Sequence, residues 1–459
     1  MRCSVVIPCF NGVALTRVCL QALLAQQPTA PAEILVVDNG STDATAELGA
    51  MHPSIRVVRL PQNLGFAGGV NAGIRSSRCP HVLVLNNDTQ ADSHLLHELQ
   101  SQLLANAGLG AVAPVSNHVK GQARIDVGDL GSTAAGRAAI TAELRRGPPL
   151  QDVDTLAGLC LLVPRALFDE VGLFDERFGH GNFEDDDFSL RLRLHGYRLG
   201  IARHAFLHHE GHATFRALGL DLRQELERRR LQFVAKWQHD PAGRAHLAAW
   251  HGDHAAASEA ALQARTRWPN WLDADWHLGN GHRANEHHAL ASRHYEAVLR
   301  SCPEHVEAHL ALAMCWLELG DAAGAITHLT AANQHALADH QRQKVLTQLG
   351  SHAYRHGAAA DALLHFRAAL RIAPDDGSLH NWIGLCLLAA DDLQAAQTHF
   401  ETALQHGCAL AHTNLGICQA RRGEMTAARA SFTKATVLVP HDLAAARNLA
   451  ALDLATVAR

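Results

Sequence analysis

Four short apolar runs, each followed by a polar cluster, constrain the fold of the first hundred residues most strongly. These runs are Cys3–Ile7, Glu33–Val37, Ile55–Leu60 and His81–Leu85. Segments with apolar residues three to four positions apart lie between them, as is typical of helices. Strands and helices that alternate along a chain and are joined by short loops predict a mostly parallel sheet with helices on both faces.

The polar clusters are expected to meet on one rim of this sheet. Ligands of open α/β sheets bind beyond the carboxyl ends of the strands, and Asn11, Asp38, Gly65, Phe66 and Asp88 all fall there. The Asp88 carboxylate, at the end of the run HVLVLNNDT, is a hard oxygen ligand of the kind that holds Mg²⁺ or Mn²⁺ against a diphosphate. The alternative is that NNDT forms only a turn, since Asn and Asp favour turns.

Charge and hydropathy exclude two kinds of partner. The net charge is −5, from 40 basic and 45 acidic residues, so no global basic field draws nucleic acid. No apolar run approaches the roughly 20 residues that span a bilayer, so no membrane span is expected.

The ten cysteines form no C-x-x-C pair, and the sequence opens on a strand without a signal-type segment. These features predict a reduced, cytoplasmic protein.

An acidic run marks the second half of the first 240 residues. Residues 184–187 read Glu-Asp-Asp-Asp at the start of a helical pattern. Acidic residues at a helix N-terminus are stabilised by the helix dipole by about 0.3–1 kcal/mol each, so capping is one interpretation, but four adjacent acids exceed what capping requires. Strands are predicted over Leu109–Val115 and Thr155–Val163, and an amphipathic helix over Arg223–Trp237 closes this part of the chain.

From residue 241 strands are no longer predicted, and a repeating pattern of small and aromatic residues begins. Its markers are Gly279, Ala291 and Tyr295, then Ala313, Ala325 and Leu329, then Gly350, Ala362 and Phe366, then Gly384, Ala396 and Phe400, then Gly416, Ala428 and Phe432. Within each set the offsets are 12 and then 4 residues, and successive sets start 32 to 37 residues apart. The pattern is similar to tetratricopeptide repeats, which stack pairs of antiparallel helices into a solenoid. Leu443–Val457 is expected to be a terminal capping helix.

Four stretches of the first 90 residues resemble the nucleotide-sugar-binding half of an inverting family-two glycosyltransferase. They are SVVIPCFNG, ILVVDNGSTDAT, NLGFAGGVNAGI and VLVLNNDT, in this order, and the third is typical of the rhamnosyltransferase-like branch. No G-x-G-x-x-G follows the first strand, which disfavours a dinucleotide-binding domain. The resemblance implies an α/β GT-A nucleotide-sugar-binding domain in residues 1–240, followed by an all-α tetratricopeptide-repeat solenoid in residues 241–459.

The resemblance also assigns the donor-binding and metal residues. The Asp-x-Asp-like triplet of the family reads Asn86, Asn87 and Asp88 here, so only the last carboxylate remains to hold Mn²⁺ or Mg²⁺. The other residues expected at a UDP- or dTDP-linked sugar are Pro8, Asn11, Asp38, Gly65, Phe66 and Asn71. Asn71 either faces the nucleoside or packs the start of its helix, and the glycines could instead only shape a turn.

The acceptor half of the same family supplies a catalytic base and a histidine. The patterns G-x-F-D-E-x-F and E-D-x-D lead to Asp185, with Glu184 as its neighbour or the alternative, because an inverting transfer needs a carboxylate to take the proton of the attacking group. His209 matches the family's H-x-G-x-x-S segment, and it would complete the metal shell or touch the diphosphate. A zinc site formed by His208, His209 and His212 is the rival interpretation.

These features predict a metal-dependent, inverting glycosyltransferase that takes its sugar from a nucleotide-diphosphate donor. Fusion to helical repeats favours a protein or peptide acceptor, and the architecture is similar to that of peptide S-glycosyltransferases that modify bacteriocins. A polysaccharide or lipid-linked glycan is the alternative acceptor, with the repeats as a scaffold or as the dimerisation arm of a homodimer. A catalytically inactive interaction module is a further alternative, and the joint presence of Asp88 and Asp185 argues against it.

Overall fold

The computed structural model describes residues 2–211, 221–335 and 339–457. It divides the chain into two compact units, Met1–Pro303 and Glu304–Arg459. The first unit carries the sheet, and the second unit is helical throughout its described part. Among the described helices, none combines the length and the apolar character needed to cross a membrane.

The first unit is built on one sheet of nine strands. They are β1 (Cys3–Cys9), β2 (Glu33–Asp38), β3 (Ile55–Arg59), β4 (His81–Leu85), β5 (Thr89–Ala91), β6 (Leu109–Ser116), β7 (Leu150–Val153), β8 (Cys160–Pro164) and β9 (Arg198–His209). The strand order is β3-β2-β1-β4-β8-β6-β9-β5, and β7 pairs with β9. The first four strands are parallel, as predicted. The second half of the sheet is mixed, because β8 runs antiparallel to both β4 and β6.

Helices cover both faces of this sheet. In the described part of the first unit the α-helices are α1 (Val13–Leu24), α2 (Gly65–Ser76), α3 (Leu95–Ala105), α4 (Ala134–Leu144), α5 (Arg165–Glu170), α6 (Glu184–Leu194), α7 (Leu222–Trp237), α8 (Pro241–Trp250), α9 (His254–Ala264), α10 (Ala274–Ala284) and α11 (His288–Ser301). Successive residues of β1 alternate between two cores: Val5 and Ile7 pack with Leu20 of α1, whereas Val6 packs with Val70 of α2. This alternation follows from the two-residue period of a strand, and burial on both faces explains the continuous apolar runs.

One predicted strand is shorter in the structure than in the sequence pattern. The strand predicted from residue 155 begins only at Cys160. The preceding backbone N–H groups are used by side chains of α6, since Leu156 donates to Ser189 Oγ at 3.1 Å and Gly158 donates to Asp185 Oδ2 at 3.0 Å. This segment therefore joins the sheet to α6 instead of extending β8.

Helices beyond residue 240 are packed into the first unit. A buried cluster joins α6 and α7 to α8, α9 and α10 through Leu190, Leu194, Trp237, Ala261 and Leu278. Arg193 of α6 forms a two-pronged ion pair with Asp273, in which Nε lies 2.9 Å from both carboxylate oxygens. The domain boundary between residues 240 and 241, which separates the sheet-containing domain from the repeats, stays a prediction.

The second unit consists of helix pairs. Its helices are α12 (Val306–Glu318), α13 (Ala322–His335), α14 (Asp339–Arg355), α15 (Ala359–Ile372), α16 (Gly377–Ala389), α17 (Leu393–Gln405), α18 (Ala411–Arg421), α19 (Met425–Leu438) and α20 (Leu443–Val457). The marker glycines face the marker aromatics: a Cβ at Gly384 would lie 2.5 Å from the Phe400 ring, and one at Gly416 would lie 2.6 Å from Phe432. The small residues of the pattern are thus needed for close packing within each pair.

Candidate active site

A cavity of about 560 Å³ lies at the carboxyl ends of β1 and β4. Nine of the twelve predicted site residues line it: Pro8, Gly65, Phe66, Asn86, Asn87, Asp88, Glu184, Asp185 and His209. They come from segments far apart in the sequence. The predicted donor-binding and catalytic groups therefore share one cavity.

Asp88 and His209 meet because the short strand β5 runs antiparallel to the end of β9. Thr89, the first residue of β5, is paired with His209. This register places Oδ1 of Asp88 3.2 Å from Nε2 of His209. Both side chains are largely buried, with 6% of Asp88 and 13% of His209 exposed. The pairing explains how a histidine late in the domain reaches the end of β4.

The orientation of His209 is fixed by the segment that follows β6. Nδ1 of His209 lies 2.7 Å from the carbonyl oxygen of His118, and the amide of Asn117 bonds both backbone polar groups of His209. An Nδ1–H that donates to His118 leaves Nε2 to face Asp88. Burial alone would lower the pKa of His209. The hydrogen bond with Asp88 and the negative charge of Asp88 outweigh burial, so the pKa of His209 is raised.

This pair is suited to a divalent cation. A neutral His209 that donates from Nδ1 presents the Nε2 lone pair to an anionic carboxylate, which is repulsive unless a proton or a cation lies between them. Imidazole and carboxylate are both ligands of Mn²⁺-type ions. The described residues contain no group of three or more His, Cys, Asp or Glu arranged for a metal, so the remaining ligands would be phosphate oxygens and water.

The zinc-site interpretation requires His208, His209 and His212 to meet. His208 is directed to Glu210, with Nε2 3.4 Å from Oε1, and burial lowers its pKa. His212 lies outside the described residues. His208 and His209, as neighbours on a strand, place their side chains on opposite faces.

The two asparagines before Asp88 have different surroundings. Nδ2 of Asn87 donates to Oγ1 of Thr16 at 3.0 Å. Oδ1 of Asn86 is buried and has no hydrogen-bond partner among the described residues, although the residue lines the cavity. Buried polar atoms are normally bonded, so Asn86 is a group that a bound ligand would satisfy.

Gly65 and Phe66 connect the two halves of the site. The N–H of Phe66 donates to the carbonyl of Gly179 at 2.8 Å, and a Cβ at Gly65 would lie 2.2 Å from that carbonyl oxygen. Gly65 also has a φ of 77°, which favours glycine. The turn is held by Asn39 and Asn63, whose amides bond each other at 3.0 Å and the backbone of residues 64 and 65. Both asparagines line the cavity and were missed from the sequence, although they adjoin predicted residues.

Three predicted donor-binding residues lie outside the cavity lining. Oδ1 of Asn11 accepts from the N–H of Thr42 at 2.9 Å, and Oδ1 of Asp38 accepts from the N–H of Ser41 at 2.8 Å. Asn71 donates to the carbonyl of Phe174 at 2.8 Å and accepts from its N–H at 3.1 Å. Of the two roles open to Asn71, the structure places it in packing between α2 and the segment before α6.

Asp185 stands in the first turn of α6 and is held by two backbone donors. Oδ2 accepts from the N–H of Gly158, and Oδ1 accepts from the N–H of Asp186, both at 3.0 Å. The helix is entered through a strained turn, since Asn182 and Phe183 have φ values of 75° and 69°. Such conformations cost about 1–3 kcal/mol each and cluster at active sites. Nδ2 of Asn182 is buried without a partner and lines the cavity.

The other acids of the run differ from Asp185. Burial and the charge of Asp185 raise the pKa of Glu184, whose Oε2 is buried without a partner. Burial and Asp185 also raise the pKa of Asp186 to about 6. Asp187 is fully buried and accepts from Nε1 of Trp237 at 3.0 Å. It thus anchors α7, whereas Glu184 and Asp185 face the cavity.

Lys120 is a site residue that the sequence pattern did not reveal. Its Nζ lies 2.6 Å from Oδ2 of Asp186 and 3.6 Å from Oδ1 of Asp185. Burial lowers its pKa, but Asp185 and Asp186 outweigh burial and raise it. The residue falls in the stretch from 116 to 150, which has weak periodicity, so only the spatial contact identifies it.

Comparison with known families identifies both parts of the chain. Residues 4–168 match the glycosyl transferase family 2, and residues 278–338, 347–396 and 383–442 match the tetratricopeptide repeat. The chain carries a family 2 glycosyltransferase domain followed by tetratricopeptide repeats. The predicted GT-A α/β domain and all-α repeat domain are thereby confirmed.

Curated relatives of this glycosyltransferase domain include one bacterial and one archaeal enzyme. The chain is 28% identical over 213 residues to an N-acetylglucosaminyl-diphospho-decaprenol L-rhamnosyltransferase of Mycobacterium tuberculosis, which covers 40% of this chain and 69% of that protein. It is 26% identical over 177 residues to a low-salt glycan biosynthesis hexosyltransferase of Haloferax volcanii, over 37% of this chain and 56% of that protein. The predicted rhamnosyltransferase-like resemblance is confirmed.

Two solved structures show low overall similarity to the chain. GalNAc-T7 with UDP, GalNAc and Mn²⁺ has a TM-score of 0.37 and 14% identity, over 46% of this chain and 44% of that chain. Pseudomonas aeruginosa pilF has a TM-score of 0.41 and 18% identity, over 47% of this chain and 99% of that chain.

Proposed function

We propose that this protein transfers a sugar from a nucleotide-diphosphate donor to an acceptor, with inversion at the anomeric carbon and dependence on Mn²⁺ or Mg²⁺. The observation that carries the proposal is that Asp88 with His209, and Asp185 with Glu184, line the same cavity in a family 2 glycosyltransferase domain. The two pairs supply complementary groups, one for a donor diphosphate and one for proton removal from an acceptor.

The donor side is supported by the polar groups on the rim of the parallel strands. Asp88 and His209 would hold the cation against the diphosphate of a UDP- or dTDP-linked sugar. The cation would neutralise the charge that develops on the departing diphosphate. The unpartnered Oδ1 of Asn86 and Nδ2 of Asn182 are buried in this cavity and would bond hydroxyl or phosphate groups of the donor. Leaving such atoms unbonded costs about 1–3 kcal/mol each, so a polar ligand fits better than an apolar one.

Asp185 is assigned as the general base. An inverting transfer requires in-line attack, so the base removes a proton from the acceptor on the side of the sugar away from the diphosphate. Both oxygens of Asp185 accept backbone hydrogen bonds at 3.0 Å, which fixes the orientation of the carboxylate. Glu184 has a raised pKa, so its protonated carboxyl would donate a hydrogen bond.

The repeats are assigned to acceptor recruitment. Tetratricopeptide repeats build extended binding surfaces, and their fusion to a transferase domain favours a protein or peptide acceptor. The alternative is a lipid-linked glycan, which the name of the mycobacterial relative supports for that protein. Incubation of the chain with radiolabelled donor and a lysate of the native host separates these cases. Label in protease-sensitive material supports a protein acceptor, and label in organic extracts supports a lipid-linked one.

A donor screen tests the proposed activity without an acceptor. UDP-glucose, UDP-N-acetylglucosamine, dTDP-rhamnose and GDP-mannose are each incubated with the full chain, and nucleotide release is followed by luminescence with Mn²⁺, with Mg²⁺ and with EDTA. We expect metal-dependent release from one or more UDP- or dTDP-linked sugars. Release that EDTA leaves unchanged would contradict metal dependence. Absence of release and of any transfer to lysate would contradict the activity itself.

A further inference from the structure

The acidic run at the start of α6 creates a charge problem inside the cavity. Glu184, Asp185, Asp186 and Asp187 are consecutive, and all four are buried or nearly so. Like charges at such distances oppose ionisation of one another. A base in this cluster works only if it is ionised, and the donor that must enter the cavity is itself an anion.

Two of the four acids are neutralised in other ways. Asp187 has its own cations, since Arg191 Nε lies 3.0 Å from Oδ2 and Lys236 Nζ lies 2.5 Å from Oδ1. Glu184 has a raised pKa from burial and from Asp185, so it is protonated more readily. Within the described residues, Asp185 and Asp186 share the ammonium group of Lys120.

Lys120 is placed by the same segment that orients His209. Asn117 and His118 form hydrogen bonds to His209, the last residue of β9. Lys120 follows His118 by two residues and extends to the opposite wall of the cavity. Its Nζ lies 5.5 Å from the ring centroid of Phe183, the strained residue directly before α6. A cation within about 6 Å of the face of an aromatic ring is attracted to it. The ammonium is therefore held at Asp185 and Asp186 by two kinds of contact.

We propose that Lys120 is the positioning residue that orients the Asp185 carboxylate for proton removal and supplies its counter-charge. This inference rests on the proposed function. Lys120 acts through Asp185 and does not itself take the acceptor proton. Its counter-charge reduces the repulsion among the acids of α6.

The groups that set this charge balance come from several elements. On α6 they are Glu184, Asp186, Asp187 and Arg191; on α7 they are Arg229 and Lys236; and after β6 there is Lys120. Arg229 bonds Glu225 at 3.0 Å and Lys236 bonds Asp175 at 2.8 Å. Their charge is thus committed to other carboxylates, whereas Lys120 serves Asp185 and Asp186.

The test compares pH profiles of the wild type, K120M, K120Q and K120R. Donor hydrolysis is a suitable reaction, because water then replaces the acceptor and needs the same base. Nucleotide release is measured from pH 5 to 9 with the donor that the wild type hydrolyses fastest. K434M, which removes an exposed lysine of α19, is the matched control and should equal the wild type.

We expect K120M and K120Q to lower kcat about 10- to 100-fold near neutral pH, as expected for loss of a charged hydrogen bond. On the acidic side of the profile, the pH at which activity falls to half (the acid limb) should rise by about one unit in both variants. K120R should restore the wild-type acid limb. A purely structural role would lower activity or melting temperature without moving the limb.

The outcomes separate this inference from the proposed function. If the wild type is active and the limb of K120M and K120Q coincides with that of the wild type, the role of Lys120 is overturned alone. A K120R variant as defective as K120M would also overturn the charge role. If the wild type releases no nucleotide from any donor and transfers no sugar, both proposals fall together.

Discussion

Nε2 of His209 lies 3.2 Å from Oδ1 of Asp88, at the meeting point of β9 and the end of β4. His118 holds the other ring nitrogen of His209 at 2.7 Å, so this approach is built into the fold. Carboxylate and imidazole are both ligands of Mn²⁺-type ions, so this pair offers two ligands to a divalent cation.

Removal of the Asp88 carboxylate should abolish metal-dependent donor binding. Asp88 is the only carboxylate of its triplet, so D88A leaves His209 as the remaining protein ligand. Calorimetry of UDP with Mn²⁺ should show binding to the wild type and loss of at least tenfold in affinity for D88A. D169A, which removes an exposed carboxylate on α5, is the control. Unchanged affinity in D88A would show that the cation lies elsewhere.

Gly65 should be intolerant of a side chain for two separable reasons. G65A introduces a left-handed alanine, which costs about 1–2 kcal/mol, and a Cβ only 2.2 Å from the Gly179 carbonyl oxygen. Gly108 has a similar φ of 80° but nothing within 4 Å of its Cβ position. In urea unfolding, G65A should therefore lose clearly more stability than G108A. Equal losses would mean that the contact with Gly179 is not tight in solution.

The Arg193–Asp273 pair should be a major support of α6. Removing one partner of a buried ion pair typically costs about 3–5 kcal/mol, because a charge is left buried and unpaired. D273N should lower the free energy of unfolding by an amount of this order, measured with guanidinium chloride. E227Q, which breaks the exposed pair with Arg230, should cause no measurable change. A small effect of D273N would contradict the tight attachment of α10 to α6.

The same pair predicts a pH dependence of stability. Burial alone would raise the pKa of Asp273. The positive charge of Arg193 and its hydrogen bonds to Asp273 outweigh burial and lower this pKa from the ordinary 3.8 to about 2. A depressed folded-state pKa stabilises the fold above the unfolded value and loses this contribution as pH falls. The stability difference between wild type and D273N should thus be constant above pH 5 and shrink between pH 4 and 2. A difference that grows over this range would contradict the assignment.

The sequence was most informative where one element decides the structure. The run from His81 to Leu85 is a strand with the predicted bounds, since a continuous apolar run of this length suits a strand buried on both faces. The terminal helix Leu443–Val457 likewise has the predicted bounds. The repeat markers were also reliable, because a glycine that must face an aromatic ring imposes a fixed spacing.

The sequence was less informative where contacts are made by distant segments. The mixed second half of the sheet depends on how β8 inserts between β4 and β6, which periodicity does not encode. Lys120 lies in a stretch without a clear pattern, and its partners follow more than 60 residues later. Asn71 belongs to a glycine-rich motif, but its bonds to Phe174 are made across the domain.

Asp185 is assigned the removal of the acceptor proton. D185N keeps the size of the side chain but cannot accept a proton, so donor binding should be retained while transfer falls by about 10²–10⁴-fold, the usual contribution of a general base. D169N, an exposed substitution on α5, should behave as the wild type.

The decisive measurement is therefore single-turnover transfer from bound donor by the wild type, D185N and D169N, with donor affinity measured on the same samples. We expect unchanged donor affinity in all three proteins and a loss of at least a hundredfold in transfer rate for D185N but not for D169N. A D185N variant that turns over at the wild-type rate on a hydroxyl acceptor would contradict the account, and Glu184 would then be the residue to test.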